Sequence, residues 1–369
     1  MKKYFLILLS LCMMATFTTA SFASSTDADQ APHSKAAILY EATTDTVLYE
    51  KNADMELPPA SMTKVMTAIL VLEQNPELEG AFAVSENAVR SYYCSSMGYP
   101  HLKAGEVISY KDCMAYMLIP SANEAATAFA FEIGGDMETF IQMMNDKAKE
   151  LGCTNTQFKD PVGLSASEHY TTPRDMVKIC RYAMSFDSFR QAVSADSVTV
   201  PVSNMRDESY ECYTTNYVKF PDDRYESPYS QYVTGVKTGW TPAAGWCFSG
   251  CMEKDGLVWY SVVMGGDEEW YDKERIIQGD FRDTINLYSL TDGVTAEQLE
   301  AMHGAGSGRA VGLDGAGGGR AVGLDGAAGG GAAAWLAAAG VTAAALLVVL
   351  AIILIKRAAR KCKKGPKSD

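Results

Sequence analysis

The sequence fits an α+β fold, and three observations along the chain support it. Strand-like segments cluster near residues 35–50 and again between about 197 and 266. Segments with helical spacing fill the stretch between them, and a last helix follows the second strand cluster. Apolar periodicity separates the two kinds of segment.

Residues 35–50, "KAAILYEATTDTVLYE", predict two strands around a polar turn at Thr43 to Asp45. "LPP" (Leu57 to Pro59) then leads into "ASMTKVMTAIL", whose Val65, Met66, Ala68, Ile69, Leu70 and Leu72 suit a helix with a buried face. Residues 109–151 read as mostly helical, broken at Pro120 and stopped at Gly152. "TTPRDMVKICRYAM" opens another helix, with Thr172 as cap and Pro173 at its first position. "SVTVPV" and "SYECYTTNYV" read as strands, followed by "YVTGVKTGW", a turn, and "GWCFSGCMEKDGLVWYSVVMGG" as a hairpin. The last helix is expected near residues 272–289.

The two ends differ in kind from this block. "MKKYFLILLSLCMMATFTTASFASS" has two lysines, an apolar stretch and the small-residue pattern Ser21-Phe22-Ala23, which predicts a secretory signal peptide over residues 1–23. Cleavage after Ala20 is the second choice. A lipoprotein signal is disfavoured, because bulky Leu11 precedes Cys12 and the apolar stretch continues past it. Residues 332–355 are 24 uncharged, mostly apolar residues. As a helix they would span about 36 Å, enough to cross a bilayer. Seven Lys and Arg follow in residues 356–369, which places that basic tail in the cytoplasm. The expected localisation is the cell membrane, single-pass, with the main domain outside the cytoplasm.

The formal net charge is −13. With the nine basic residues of signal and tail set aside, and Asp369 with them, 23 cations face 44 carboxylates, a net of −21. Such an excess excludes a nucleic-acid partner. Residues 302–331 change composition abruptly, with 13 glycines between 304 and 331 and "RAVGLDGA" repeated at Arg309 and Arg320. A period of eleven without proline is not collagen, and two copies build no solenoid, so this segment is expected to be a flexible linker.

Nine cysteines include Cys12 in the signal and Cys362 in the tail; the remaining seven cannot all pair within one chain. No Cys/His cluster suggests a metal site, so no metal or other cofactor is expected. Most of these cysteines are expected as buried apolar residues. A Cys247–Cys251 bridge is not expected, since positions four apart on a strand are separated by ~13 Å. His33, His101, His169 and His303 show no mutual metal-ligand spacing, and His169 is given a structural role near the site.

Three short motifs carry the chemistry. Ser61-Met62-Thr63-Lys64 stands at the head of the apolar helix, where residues three apart share a face. Lys64 can therefore place its amine beside the Ser61 hydroxyl, near the positive end of the helix dipole. Sixty residues on comes Ser121-Ala122-Asn123, and 116 later Lys237-Thr238-Gly239. S-x-x-K, S-x-N and K-T-G in this order resemble the serine penicillin-recognising enzymes, most nearly the D-alanyl-D-alanine carboxypeptidases among low-molecular-mass penicillin-binding proteins. "DPVGLSASEHYTTPRDM" resembles that family's segment between the second and third motifs. The resemblance covers roughly residues 34–290.

The resemblance implies an antiparallel sheet flanked by helices, with a mainly helical subdomain from about 75 to 165, plus the C-terminal transmembrane helix. It implies a serine-type hydrolase that removes the terminal D-alanine from peptidoglycan peptide stems and is acylated by β-lactam antibiotics. Ser61 is then the nucleophile. Lys64 is the base, usable only when neutral, with burial and the Lys237 cation both lowering its pKa from the free value of ~10.4. Ser121 would bridge the two lysines and pass a proton to the leaving amine, and Asn123 would bind the substrate amide. Lys237 and Thr238 would receive the terminal carboxylate, Gly239 would belong to the same substrate-binding motif, and the backbone N–H groups of Ser61 and Trp240 would form the oxyanion hole.

Two departures from the family pattern stand out. Trp240 occupies a position often held by histidine, and the linker begins where many relatives carry a β-rich domain. The alternatives are a serine β-lactamase and a peptidoglycan DD-endopeptidase. Against the lactamase, no E-x-x-L-N segment lies between Asn123 and Lys237; Glu168 is the nearest candidate and lacks the neighbouring Leu and Asn. A penicillin-binding sensor is disfavoured by the fourteen-residue tail, too short for a signalling domain.

Overall fold

The computed structural model describes residues 31–91, 93, 101–164, 167–272, 274–304, 311–312 and 319–321. The chain opens with strands β1 (Ala36–Glu41) and β2 (Thr46–Lys51), then a 3-10 turn (Ala60–Thr63) running into helix α1 (Lys64–Gln74). Strand β3 (Ala81–Ala83), helix α2 (Glu86–Arg90) and strand β4 (Val107–Ser109) lead to helices α3 (Tyr110–Leu118), α4 (Asn123–Gly134) and α5 (Met137–Glu150). Helices α6 (Pro173–Ala183) and α7 (Asp187–Val193) precede the paired strands β5 (Ser197–Val200) and β6 (Tyr210–Tyr213). Strands β7 (Val233–Thr241), β8 (Gly245–Lys254) and β9 (Leu257–Gly266) follow, then the pair β10 (Glu268–Trp270) and β11 (Ile276–Gln278). Helices α8 (Gly279–Ser289) and α9 (Ala296–Gly304) and the short strands β12 (Val311–Gly312) and β13 (Gly319–Ala321) complete the described chain.

The main sheet runs β12-β13-β2-β1-β9-β8-β7, with antiparallel neighbours throughout. The β1–β2 turn is held by the Glu41 carboxylate, which accepts from the Thr43 and Thr44 N–H groups and the Thr44 hydroxyl. Alternate residues of β1 serve two cores. Ala36, Ile38 and Tyr40 pack on the side of α1 and the helical subdomain, while Ala37 and Leu39 pack on the side of α8 with Phe281 and Leu287. A strand buried on both faces reads as an unbroken apolar run, as "AAIL" does. Helix α1 is buried from Lys64 through Leu72, so it is the axis on which the subdomain packs.

The expected antiparallel sheet between helices is therefore observed, and so are the hairpin at 35–50, the break around Pro120 and the Thr172 cap. The Thr172 side chain accepts the Asp175 N–H, with Pro173 opening α6. Three expectations need correction. The last helix starts at Gly279, because residues 268–270 and 276–278 form the β10–β11 pair and the Gly279 N–H closes it onto Asp267 O. "SYECYTTNYV" is a strand only to Tyr213, since the Asn216 side chain accepts the Val218 and Lys219 N–H groups and turns the chain. Within the expected linker, β12 and β13 pair with each other and then with β2, so five of its residues extend the sheet. Helices α2, α7 and α9 were not foreseen.

The expected signal peptide (1–23), membrane span (332–355) and basic tail (356–369) lie outside the described residues. Among the described residues no helix is long and apolar enough to cross a membrane. The six described cysteines of the main domain are free and buried, Cys247 and Cys251 both on β8 as expected; Cys94 lies outside the described residues.

One buried carboxyl yields a stability prediction. Asp280, in the first turn of α8, accepts the Phe281 N–H through Oδ1, while Oδ2 is buried without a hydrogen-bond partner. Burial pushes its pKa from 3.8 up to about 8. The folded state therefore holds a proton that the unfolded chain has lost. That contribution is complete below the unfolded value of 3.8 and disappears as the pH rises to about 8. Stability should fall across that window, by an amount on the order of a few kcal/mol. Asp280→Asn should flatten that segment of the stability–pH curve, measured by urea unfolding at a series of pH values. Parallel curves for the two proteins would refute the assignment.

Candidate active site

The three sequence motifs meet at the junction of α1, α4 and β7. Pro58 and Pro59 lead into the 3-10 turn that carries Ser61, and Lys64 is the first residue of α1. Ser61 thus sits on the turn entering the helix, three residues before an amine on the same face. Lys64 is wholly buried, and its Nζ has three oxygen neighbours. These are Ser61 Oγ at 2.8 Å, Asn123 Oδ1 at 2.7 Å and Val162 O at 3.2 Å.

This set of neighbours suits a neutral amine. Asn123 Oδ1 and Val162 O are carbonyl oxygens that only accept, so they take the two N–H bonds of an NH2 group. The lone pair is then left for Ser61 Oγ, whose hydroxyl can donate. Burial lowers the Lys64 pKa from 10.5 to about 7, against the opposing pull of the Asp160 and Glu124 carboxylates. Lys237, also buried, is held well below its ordinary value, first by burial and then by the Lys64 charge. The expected mutual repulsion is thus seen on Lys237, whereas burial governs Lys64. Two buried amines that repel one another cannot readily both stay charged.

Lys237 and Thr238 lie on β7, the sheet's edge strand. Lys237 Nζ is 3.3 Å from Thr238 Oγ1, which in turn lies 2.6 Å from Thr215 Oγ1. Gly239 explains itself by distance: a Cβ there would sit 2.9 Å from Pro59 O and 3.0 Å from Ser61 N. Only glycine lets β7 approach the Ser61 turn this closely. Trp240 follows it, 46% exposed and packed against its cross-strand partner Trp246 at 5.6 Å between ring centroids.

Ser121 is placed in the same region by a left-handed backbone (φ 69°) between α3 and α4. Its Oγ is buried and has no hydrogen-bond partner, so the expected bridge to the two lysines is not formed. Asn123 opens α4, and its side-chain oxygen is engaged by Lys64 in the free site.

Behind the motifs stand Asp160 and Val162, to which the sequence reading gave no role, and His169, to which it did. Asp160 Oδ1 accepts the Val162 and Gly163 N–H groups, forming the turn that aims Val162 O at Lys64. His169 is fully buried, with Nε2 at 2.9 Å from Thr63 Oγ1 and Nδ1 at 3.4 Å from Asp160 Oδ2. It joins the Asp160 turn to the Ser61 turn, which is the structural role expected of it. The "DPVG" sequence was the available signal, because Asp followed by Pro and Gly marks a side-chain-capped turn. Among the described residues no cluster of His, Cys, Asp and Glu is arranged to hold a metal.

Residues 22–268 match the family model described as D-alanyl-D-alanine carboxypeptidase. The chain belongs to this family. A member similar to it is the D-alanyl-D-alanine carboxypeptidase DacF of Bacillus subtilis (strain 168), 33% identical over 271 residues, 72% of this chain and 66% of DacF. The D-alanyl-D-alanine endopeptidase of Escherichia coli (strain K12) is 30% identical over 67% of this chain and 78% of its own length. Among solved structures, the Streptomyces K15 DD-transpeptidase superposes with a TM-score of 0.60 at 25% identity, covering 71% of this chain and 97% of that one. The aligned region thus spans just under two thirds of DacF.

Within this D-alanyl-D-alanine carboxypeptidase family site, Glu168, the nearest candidate for a lactamase-type base, is not among the hydrogen-bond neighbours of Ser61 or Lys64. Glu168 is largely exposed and pairs with Lys159 at 3.3 Å. Such an exposed carboxylate does not fit the role of a buried activator of water.

Proposed function

We propose that the chain is a serine-type D-Ala-D-Ala carboxypeptidase acting on peptidoglycan peptide stems and acylated by β-lactam antibiotics. The observation that carries this reading is the buried Lys64 amine, set 2.8 Å from Ser61 Oγ with two carbonyls holding its N–H bonds. Ser61 attacks the carbonyl between the two D-alanines, and its proton passes to Lys64 Nζ. The N–H groups of Ser61 and Trp240 receive the oxyanion. Collapse breaks the peptide bond, the leaving amine takes up a proton by way of Ser121, and free D-alanine departs. Water then hydrolyses the Ser61 ester.

Lys237 and Thr238 bind the terminal carboxylate. In the free site Lys237 lacks a countercharge, and the substrate carboxylate supplies one. Substrate binding should therefore bring a proton onto Lys237, so that the amine is charged when it is needed.

Release of D-alanine from a D-Ala-D-Ala pentapeptide by the purified full chain tests the reading. The rate should rise with pH through a limb near 7, as Lys64 loses its proton. Cleavage of cross-linked dimers without D-alanine release would favour the endopeptidase named among the relatives. Rapid multiple turnover of penicillin with no D-alanine release would favour the lactamase. We also assign the chain to the cell membrane, with the catalytic domain extracytoplasmic and residues 332–355 as anchor, on the strength of the apolar run and its basic flank. Cell fractionation of the full chain against one ending at residue 301 tests this.

A further inference from the structure

Glu124 follows the Asn123 that holds Lys64, yet none of the roles above uses it. It lies in the first turn of α4, 2% exposed. Its Oε1 accepts from the Tyr116 hydroxyl at 2.8 Å, and its Oε2 is buried with no hydrogen-bond partner. A carboxyl placed this way costs folding free energy, so its retention calls for a reason. We propose that Glu124 is a positioning residue for acylation: its buried carboxylate is the countercharge for the ammonium that forms on Lys64 when Ser61 is deprotonated.

The geometry favours Glu124 over the other carboxylate near Lys64. Asp160 spends Oδ1 on the backbone N–H groups of Val162 and Gly163 and sets Oδ2 against His169. Glu124 has one oxygen uncommitted, and it directly follows Asn123, whose Oδ1 lies 2.7 Å from the Lys64 amine. Burial raises the Glu124 pKa against the pull of Lys64, and burial lowers that of Lys64 against the pull of Asp160 and then Glu124, so the two groups favour each other's charge. Other titratable groups facing Glu124 are Cys113 and Tyr116 on α3, Tyr210 and Cys212 on β6, and His101 ahead of β4. The thiols and phenols are raised and neutral at the relevant pH. His101 is exposed and shared with solvent. Lys64 is therefore the buried amine whose charge Glu124 would balance.

This inference rests on Ser61 and Lys64 acting as nucleophile and base, and the test separates the two. The rate of labelling by a fluorescent penicillin is measured against pH for the full chain and for Glu124→Gln and Glu124→Asp. Glu124→Gln should move the acidic limb to lower pH by about one unit, the scale of a neighbouring charge. Its plateau rate should also fall, because Lys64 becomes a weaker base. Glu124→Asp keeps the charge and should leave the limb near its original position. A limb unmoved in Glu124→Gln, or moved equally in both variants, overturns the proposal. Should Glu124→Gln fail to fold, Tyr116→Phe is expected to move the limb the same way by less, and an unmoved limb there overturns it too. Absence of labelling in the unaltered chain would instead refute the Ser61 and Lys64 roles.

Discussion

Ser61→Ala should abolish both D-alanine release and covalent labelling by a fluorescent penicillin, because each requires the same ester on Oγ. Lys64→Ala should leave the nucleophile in place but slow labelling by about a thousandfold, the usual range for a lost general base. The loss should not be rescued by raising the pH. A serine lacking its buried base has an ordinary hydroxyl pKa, far above any pH at which the fold survives. Removing the amine also leaves Asn123 Oδ1 and Val162 O without their hydrogen bond, so some loss of stability is expected beside the loss of rate. Thermal unfolding distinguishes the two effects: the variant should remain folded at the temperature of the labelling assay. Persistent labelling of Ser61→Ala would exclude Ser61 as nucleophile. Wild-type labelling by folded Lys64→Ala would remove Lys64 as base.

What could be read from the sequence was set by how local each interaction is. The Ser61–Lys64 contact needs only three residues of helical spacing, and the Thr172 cap needs only its own first turn. The β1–β2 hairpin was likewise visible, since strand alternation and turn residues lie within sixteen positions. The arrangement of the motifs around one amine came from family resemblance rather than spacing. The parts that stayed hidden join distant segments. Val162 O reaches Lys64 across 98 positions, and His169 reaches Thr63 across 106. Nothing in "DPVGL" alone says which cation its carbonyl faces. Residues 276–278 differ from the expected helix for a related reason: their pairing with residues 268–270, not local spacing, decides the conformation. The Ser121 bridge was expected from the family resemblance, whereas the buried Ser121 hydroxyl has no hydrogen-bond partner.

Gly163→Ala should be among the most damaging single-methyl changes in this chain, though Gly163 carries no reacting atom. Its φ is +92°, a region L side chains rarely adopt, and a Cβ there would lie 1.8 Å from Ala60 O and 2.3 Å from Ala60 C. Those atoms are backbone, so no rotamer change relieves the overlap. Either the Asp160–Gly163 turn withdraws, taking Val162 O from the Lys64 amine, or the Ala60–Thr63 turn moves and carries Ser61 with it. The first route breaks the Lys64–Val162 contact and the second the Lys64–Ser61 contact, and acylation needs both. Overpacking costs about 1–3 kcal/mol and the disfavoured backbone about 1–2 more, so destabilisation of roughly 3 kcal/mol is expected. Labelling by penicillin should slow by at least about a hundredfold, since small displacements of reacting groups have effects on that scale. Gly80→Ala is the matched control: its φ is +79°, but a Cβ there meets nothing within 4 Å. It should incur the backbone term alone and label at the ordinary rate. Equal unfolding midpoints and equal labelling for the two variants would mean that the Asp160–Gly163 turn does not hold the Ser61 turn in place.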